Sequence, residues 1–257
     1  MHVKKTLAGL WGVLFTLVMV LPACGGDGES AAQFKATVKD RMSRTPMGGI
    51  TVTAVDNSTG QPLAGFEEVS EPDGSITFEG LPGEKVGFLC HEVPGEHVDT
   101  YQFNISTTAQ DEELWLVDLG TYQMAPALGG IALDTSKGVV AGSIYWVNAQ
   151  GEEEPIGCAQ VVDEPATGAV RYFGGNELPV KPTADDPVNG RDSTHPNNGL
   201  FLIANMEPGP VTMKIVINGE EKGSVDVVTF GAENTLLISN IYADDALTAN
   251  PTPADCQ

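Results

Sequence analysis

The sequence predicts an all-β protein, with two tandem seven-stranded β-sandwiches that follow an N-terminal export signal. Two observations predict the fold class. Short runs of alternating apolar residues, separated by Gly, Pro, Asn and Asp, recur along the whole chain, and this pattern is typical of strands joined by turns. No long stretch shows helical periodicity. A third observation, an internal repeat described below, predicts that the strands are divided between two similar domains.

Residues 1–23 have the features of an export signal. Two lysines precede an apolar run that ends at Val20, and this run is shorter than the roughly 20 residues that span a bilayer. The polar segment that follows begins after Leu-Pro-Ala-Cys, positions 21–24. This ending resembles the lipobox of bacterial lipoproteins, which implies cleavage before Cys24 and a diacylglycerol on its sulfur. The alternative is an ordinary secretory signal with a chance cysteine.

Residues 24–32 are predicted to be a flexible tether, since they begin with a Gly-rich polar stretch. Two or three acyl chains hold a protein at a membrane nearly permanently, because each buried methylene contributes about 0.8 kcal/mol. The residue after Cys24 is Gly25 rather than Asp, which resembles the sorting signal for outer-membrane delivery in many Gram-negative bacteria. We therefore expect a protein that is lipid-anchored in the bacterial envelope, in the outer membrane.

The charge balance bears on the choice of partners. The chain has 13 basic and 35 acidic residues, a formal net charge of −22. Cleavage before Cys24 removes Lys4 and Lys5, which leaves 11 basic residues and a net charge of −24. This balance excludes nucleic acid as an expected partner and indicates a solvated acidic surface.

The two halves of the chain share a pattern of motifs. PMGGITV at 46–52 and PIGCAQV at 155–161 both read Pro, apolar, Gly, three variable residues, Val, at an offset of 109 positions. In each half a Thr-Gly turn follows, and then a strand that starts after Gly and ends in Pro-Gly. The offset has grown to 126 positions at Pro82 and Pro208. The second half therefore contains an insertion, which we assign to a loop at 174–198.

This order of strands and turns resembles the carboxypeptidase regulatory-like domains, which are transthyretin-like (prealbumin-like, Ig-like) seven-stranded β-sandwiches. The resemblance covers 33–124 and 138–245, and it implies two such domains with a linker at 125–137 and a tail at 246–257. Turn motifs specify a fold rather than an activity. Bacterial lipoproteins carry such modules with no peptidase attached, so the resemblance implies no catalytic domain.

Three cysteines remain after Cys24, and an odd count leaves one thiol over. Cys90 lies in an apolar strand-like run and is interpreted as a small buried hydrophobic residue. Our hypothesis is a Cys158–Cys256 bridge, which would tie down the Pro-rich tail. A Cys90–Cys158 bridge is the equally open alternative.

Motifs for catalysis are mostly missing from the sequence. In HEVPGEH the two histidines, His91 and His97, are six positions apart, and Pro94 prevents the helix that a zinc-binding HExxH motif needs. We expect both histidines at the surface. The sequence contains no nucleophile elbow, P-loop or dinucleotide fingerprint, so we expect no enzymatic activity and no cofactor.

The predicted inserted loop concentrates oxygen ligands, namely Asp185, Asp186, Asn189 and Asp192. Hard carboxylate and amide oxygens are the ligands that Ca²⁺ prefers, so this loop is a candidate calcium site. The spacing matches no EF-hand, and a solvated polar loop is the alternative. No other metal site is predicted.

Three aromatic residues are candidates for a binding face. Trp115, Trp146 and Tyr145 could stack on sugars, although one buried tryptophan per sandwich is the common arrangement. Tyr145 and Trp146 are neighbours on one predicted strand and point to opposite faces, so we expect one in the core and one at the surface. The sequence predicts a noncatalytic, lipid-anchored envelope protein with a structural, adhesive or binding role. A carbohydrate- or peptide-binding accessory protein and an enzyme with an unrecognised site are the alternatives.

Overall fold

The computed structural model describes residues 32–244, and their regular structure consists of seventeen strands and one short helix. The predicted all-β fold is confirmed. The predictions for the export signal, for Cys24 and for the tail with Cys256 fall outside the described residues. Among residues 32–244 no helix is long and apolar enough to cross a membrane.

The first half forms seven strands in two facing sheets. One sheet has the order β4-β1-β7, where β1 is antiparallel to β4 and parallel to β7, and the other has the antiparallel order β3-β2-β5-β6. Phe34 and Phe88 stack between the sheets with their ring centroids 4.5 Å apart. The strands are β1 (Gln33–Asp40), β2 (Thr51–Val55), β3 (Pro62–Val69), β4 (Ser75–Glu79), β5 (Lys85–Cys90), β6 (His97–Ser106) and β7 (Glu112–Asp118).

A helix, α1 (Leu119–Leu128), follows β7 directly. The Asp118 carboxylate caps its first turn by accepting a hydrogen bond of 2.8 Å from the Thr121 N–H, and Gly129 ends it. The sequence pattern predicted no helix here, and the first predicted domain runs to Met124. Ten residues are too few for an apolar period to be visible, and Pro126 argues against a helix although it is buried inside this one. The linker predicted at 125–137 begins within α1.

The second half forms ten strands. One sheet has the order β12-β11-β13-β8, and a second, three-stranded sheet has the order β10-β14-β15. The strands are β8 (Gly138–Val147), β9 (Glu153–Pro155), β10 (Gln160–Glu164), β11 (Ala169–Phe173), β12 (Pro179–Val180), β13 (Leu200–Met206), β14 (Gly209–Ile217), β15 (Glu220–Thr229), β16 (Thr235–Ile238) and β17 (Ile241–Tyr242). The segment predicted as an inserted loop contains the two-residue strand β12 and is otherwise made of turns.

The strand β16 joins the sheets of the two halves, because it is parallel to β6 on one side and to β8 on the other. Leu237 lies opposite Tyr101 of the first half and Val140 of the second. Next to this junction the ring of Phe230 stacks on Tyr101 at 4.1 Å. Gly60 lies against the Phe230 ring. Its φ is +67°, and a Cβ at this position would lie 2.3 Å from the ring, so only glycine fits here.

The repeated motifs make matching contacts. A Cβ at Gly48 would lie 2.6 Å from Pro72, and a Cβ at Gly157 would lie 2.7 Å from Pro196, so each half packs the glycine of its first motif against a proline. The first strand of each half also makes an equivalent hydrogen bond. The Val38 N–H donates to the Gly74 carbonyl in the first half, and the Ile144 N–H donates to the Gly199 carbonyl in the second. The repeat is therefore a structural one.

Candidate binding groove

An open groove of about 940 Å³ lies between the two halves, and both contribute to it. From the first half, β6 and β7 provide lining residues, and from the second half β14, β15 and β17 do so. Its lining is a mixture of polar and apolar residues. The charged lining residues are Lys85, Glu112, Glu113, Glu164 and Asp226, so the groove is acidic.

A turn fixes two asparagines at the groove. The Asp56 Oδ1 accepts hydrogen bonds from the backbone N–H of Ser58 and Thr59, which sets the position of Asn57, the residue between Asp56 and Ser58. Asn57 then donates from Nδ2 to the Asn104 Oδ1 at 2.8 Å and accepts from the Asn104 N–H at 2.7 Å. Asn104 has a φ of +66°, a left-handed conformation that asparagine tolerates better than most residues. The Thr-Gly turn of the first half therefore builds part of the groove.

Gln102 is a buried polar residue of the groove with an unpaired side-chain donor. It lies on β6 opposite Ile238, it lines the groove, and only 6% of its surface is exposed. Its side-chain nitrogen is buried and has no hydrogen-bond partner among the described residues. A buried donor left without a partner costs about 1–3 kcal/mol.

Most carboxylates of the groove have structural partners. Glu113 pairs with Lys39, and Glu164 pairs with Lys214 at 2.5 Å. Asp226 accepts a hydrogen bond of 2.6 Å from a threonine hydroxyl on the neighbouring strand. These side chains are held in place by neighbouring strands and give the groove a fixed set of acceptors.

Glu112, next to Glu113 on β7, is half-buried. Burial, together with the charges of Glu153 and Glu113, raises the pKa of Glu112 above its ordinary value. Close by, the Tyr242 hydroxyl donates to the Glu153 carboxylate at 3.0 Å. Burial and then the Glu153 charge raise the pKa of Tyr242, so its hydroxyl keeps its proton at neutral pH. This end of the groove offers protonatable groups that can both donate and accept hydrogen bonds.

Of the three aromatic residues predicted as candidates, only Trp115 lines the groove. The Arg41 guanidinium carbon lies 5.1 Å from the Trp115 ring centroid and holds one face of the ring. Trp146 and Tyr145 are both half-buried, which differs from the predicted division into core and surface. The Tyr145 ring packs against the Tyr242 ring, with the two centroids 5.9 Å apart.

The two histidines make side-chain contacts within the first half of the fold. His97 Nε2 lies 3.1 Å from Asp40 Oδ2, and only 12% of the His97 side chain is exposed, so the expectation of a surface residue was wrong for it. His91 Nε2 lies 2.8 Å from the Thr53 hydroxyl. They belong to separate contacts and do not converge.

The described cysteines are a free thiol at Cys90, which is fully buried, and a disulfide-bonded one at Cys158. The alternative Cys90–Cys158 bridge is therefore not formed. Cys256 lies outside the described residues, and the Cys158–Cys256 bridge stays a prediction.

The candidate calcium ligands lie on turns of the segment 174–198. The Asp186 Oδ1 accepts hydrogen bonds from the backbone N–H of Val188 and Asn189, and the Asp192 Oδ1 accepts one from Thr183. Between residues 32 and 244 no group of three or more His, Cys, Asp or Glu side chains could hold a metal ion. Calcium binding by Asp185, Asp186 and Asp192 stays a prediction.

Sequence reasoning missed most of the groove. Gln102 and Asn104 lie on β6 and Glu112 lies on β7, but nothing in the local pattern indicated that these strands would face the β14–β15 hairpin. Only the Thr-Gly turn beside Asn57 gave a signal, as a turn and not as a site.

Comparison with known proteins places the chain in no family. No protein-family model matches the sequence, and no curated protein does. Solved structures that match include the Streptococcal ancillary pilin, at 12% identity and a TM-score of 0.27, covering 85% of this chain and 64% of that one. The Bacillus anthracis TIE protein matches at 13% identity and a TM-score of 0.26, covering 84% of this chain and 34% of that one. GBS52, the minor pilin of Streptococcus agalactiae, matches at 10% identity and a TM-score of 0.25, covering 85% of this chain and 100% of that one. The chain thus spans less than two thirds of the first two. TM-scores this low do not bear on function.

Proposed function

We propose that the protein is a noncatalytic binding protein of the bacterial envelope, held at the membrane by lipid on Cys24, and that its groove binds a carbohydrate chain in an adhesive role. The observation that carries the proposal is Gln102, a buried amide donor that lines the groove and has no partner among the described residues. A ligand with exposed oxygen acceptors would complete it.

The chemistry of the groove favours a sugar polymer. Sugar hydroxyls both donate and accept hydrogen bonds, and the amides and carboxylates of the groove supply both kinds of partner. The apolar face of a sugar ring packs against aromatic rings, which Trp115 and Tyr242 provide. An open groove also admits the middle of a chain, which a closed pocket would not.

A noncatalytic role is supported by how the carboxylates are used. Glu113, Glu164 and Asp226 are committed to partners on neighbouring strands, so they position the groove instead of standing free to transfer protons. An enzyme with an unrecognised site would need convergent titratable groups with access to a substrate. Incubation with each bound oligosaccharide, followed by mass analysis, should return the oligosaccharide intact.

Lipid attachment is supported by the Leu-Pro-Ala-Cys ending and tested by the intact mass of the protein isolated from its native membranes. We expect a mass that corresponds to cleavage before Cys24 plus two or three acyl chains. A Cys24→Ser variant should leave the membrane fraction, since no acyl chain can then be attached. Cleavage elsewhere, or an unmodified mass, would make this a diffusible secreted protein and would leave the groove proposal standing.

An extended peptide is the second candidate ligand, and the edge of β7 favours it. Between Glu112 and Leu116 this strand pairs with β1 on one side, and its recorded pairing with β6 begins only at Val117. A peptide could add there as a further strand through backbone hydrogen bonds. Affinity would then depend little on Gln102, whereas a sugar chain depends on it strongly.

A further inference from the structure

We infer that the protein has a second, separate binding site, an apolar pocket beside α1 that takes an alkyl carboxylate of the fatty-acid class. The pocket has a volume of about 290 Å³ and an apolar surface. It shares Ile238 and Asn240 with the lining of the groove but differs from it in both polarity and charge, so the inference does not depend on the proposed function.

The pocket is formed where three parts of the fold meet. The helix α1 contributes Tyr122, Ala125 and Pro126, and strands β8 and β13 contribute aliphatic residues from the second half. The third part is the turn that follows β1. Apolar lining residues from these strands and their neighbours include Val139, Phe173, Leu200, Phe201, Leu202 and Leu236.

The positively charged lining residues lie in the turn that follows β1. Arg41 and Arg44 both line the pocket, and Met42 between them is 64% exposed. Within residues 32–244 neither guanidinium forms an ion pair with a carboxylate. Glu177 is the one acidic residue that lines the pocket. In a chain of net charge −22, an apolar pocket with two arginines against one glutamate is complementary to an anion with an apolar tail.

Hydrogen bonds fix the backbone of the turn that carries the two arginines. The Asp40 Oδ1 accepts hydrogen bonds from the backbone N–H of Met42 at 3.1 Å and of Ser43 at 2.6 Å. The Arg44 N–H donates to the Asp40 carbonyl at 2.9 Å, and Arg44 has a left-handed φ of +58°. His97 holds the other oxygen of the Asp40 carboxylate. Arg41 is pinned over the Trp115 ring, which leaves little side-chain freedom to lose on binding.

A carboxylate suits this mouth because a guanidinium presents paired N–H donors that match its two oxygens. The lining residues behind the turn then bury an alkyl chain, which is favourable because it removes apolar surface from water. A phosphate or sulfate without an alkyl chain would leave the apolar pocket empty, and an uncharged alkyl chain would leave both arginines unpaired.

Titration calorimetry tests this inference on the mature chain carrying Cys24→Ser, so that no attached acyl group competes. The probes are dodecanoate, dodecanol and dodecyltrimethylammonium, all below their micelle concentrations. We expect one dodecanoate to bind per chain, at least tenfold more tightly than dodecanol, with no binding of the cation. Equal affinity for dodecanoate and dodecanol would overturn the role of the arginines, and no heat with dodecanoate would overturn the site.

Variants locate the binding. Arg44→Asn removes the charge and tolerates a left-handed backbone, so it should weaken dodecanoate binding at least tenfold without loss of fold. Lys35→Ala, a matched loss of one positive charge at an exposed position outside the pocket, should leave the affinity unchanged. Ala125→Phe fills the pocket from α1 and should abolish binding. Similar affinities for the Arg44 and Lys35 variants, or undiminished binding by the Ala125 variant in a protein with unchanged circular dichroism, would contradict the inference.

Discussion

Ser70 and Thr194 occupy matching positions in the two halves of the protein and make the same pair of hydrogen bonds. Each hydroxyl donates to a backbone carbonyl and accepts from the N–H three residues further along. The partners are Met47 O (2.8 Å) and Ile50 N (3.0 Å) for Ser70, and Ile156 O (2.7 Å) and Ala159 N (3.0 Å) for Thr194. Only 4% and 0% of these two residues are exposed. Each hydroxyl thus closes the loop that carries the Pro-x-Gly motif.

Removing either hydroxyl should destabilise the whole protein. Ser70→Ala and Thr194→Val each leave a buried carbonyl and a buried N–H without their partner, so each should lower the free energy of unfolding by about 1–3 kcal/mol. Urea denaturation measures this. Thr45→Ala, at an exposed position, is the control and should change stability by less than about 0.5 kcal/mol. Changes as small as the control's would show that the hydroxyls do not close these loops.

The two halves should unfold together, because β16 belongs to the sheets of both. Cleavage of the signal removes Trp11, so Trp146→Phe leaves only Trp115 in the first half, and Trp115→Phe leaves only Trp146 in the second. Fluorescence of the two single-tryptophan variants should report urea transitions with coincident midpoints, once each is corrected for its own stability by circular dichroism. Two separated transitions would mean that the sandwiches are independent.

The Asp56 turn should depend on pH in a defined direction. Hydrogen bonds from the side chains and N–H groups of Ser58 and Thr59 lower the pKa of Asp56 from 3.8 to about 2. The ionised group therefore stabilises the folded protein above the unfolded value, and this contribution is lost as the pH falls through about 2. A carboxyl NMR titration should show a midpoint near 2, and Ser58→Ala should move it upwards. A midpoint near 3.8 in both proteins would contradict this turn geometry.

Cys90 should be inert in the folded protein. Burial, with a smaller effect from the Asp99 charge, raises the pKa of its thiol to about 12, so almost no thiolate exists at neutral pH. Iodoacetamide should modify Cys90 only in denaturant, as seen by mass spectrometry. The same nonreduced digest tests the predicted Cys158–Cys256 bridge, which an alkylated Cys256 would exclude. Rapid alkylation of Cys90 in buffer would contradict its burial.

Much of the fold could be predicted from sequence because local residue patterns determine its strands and turns. Alternation such as Ile76 and Phe78 in β4 marks strands, and Gly74 and Gly199 mark the turns where positive φ is needed. The helix α1 could not be predicted, since its cap at Asp118 and its ten residues carry too weak a signal.

The groove and the pocket could not be predicted for another reason. Both depend on β16 lying between β6 and β8, a pairing that brings Leu236 next to Thr100, over a hundred residues away in the chain. Strand pairing at such separations is determined by the packing of whole sheets, and no local motif indicates it. Gln102 is an ordinary strand residue in sequence and becomes an unpaired buried amide only when this packing is complete.

The measurement that tests the central claim most directly is titration of the mature Cys24→Ser chain with chitohexaose, maltohexaose, cellohexaose and an extended basic hexapeptide. The Trp146→Phe background leaves Trp115, in the groove, as the fluorescent reporter. We expect at least one hexasaccharide to shift this fluorescence saturably, and Gln102→Leu to abolish the shift while Lys35→Ala preserves it. A shift with the peptide alone would favour strand addition at β7. No shift with any saccharide, or an equal one in Gln102→Leu, would contradict the groove as a carbohydrate site.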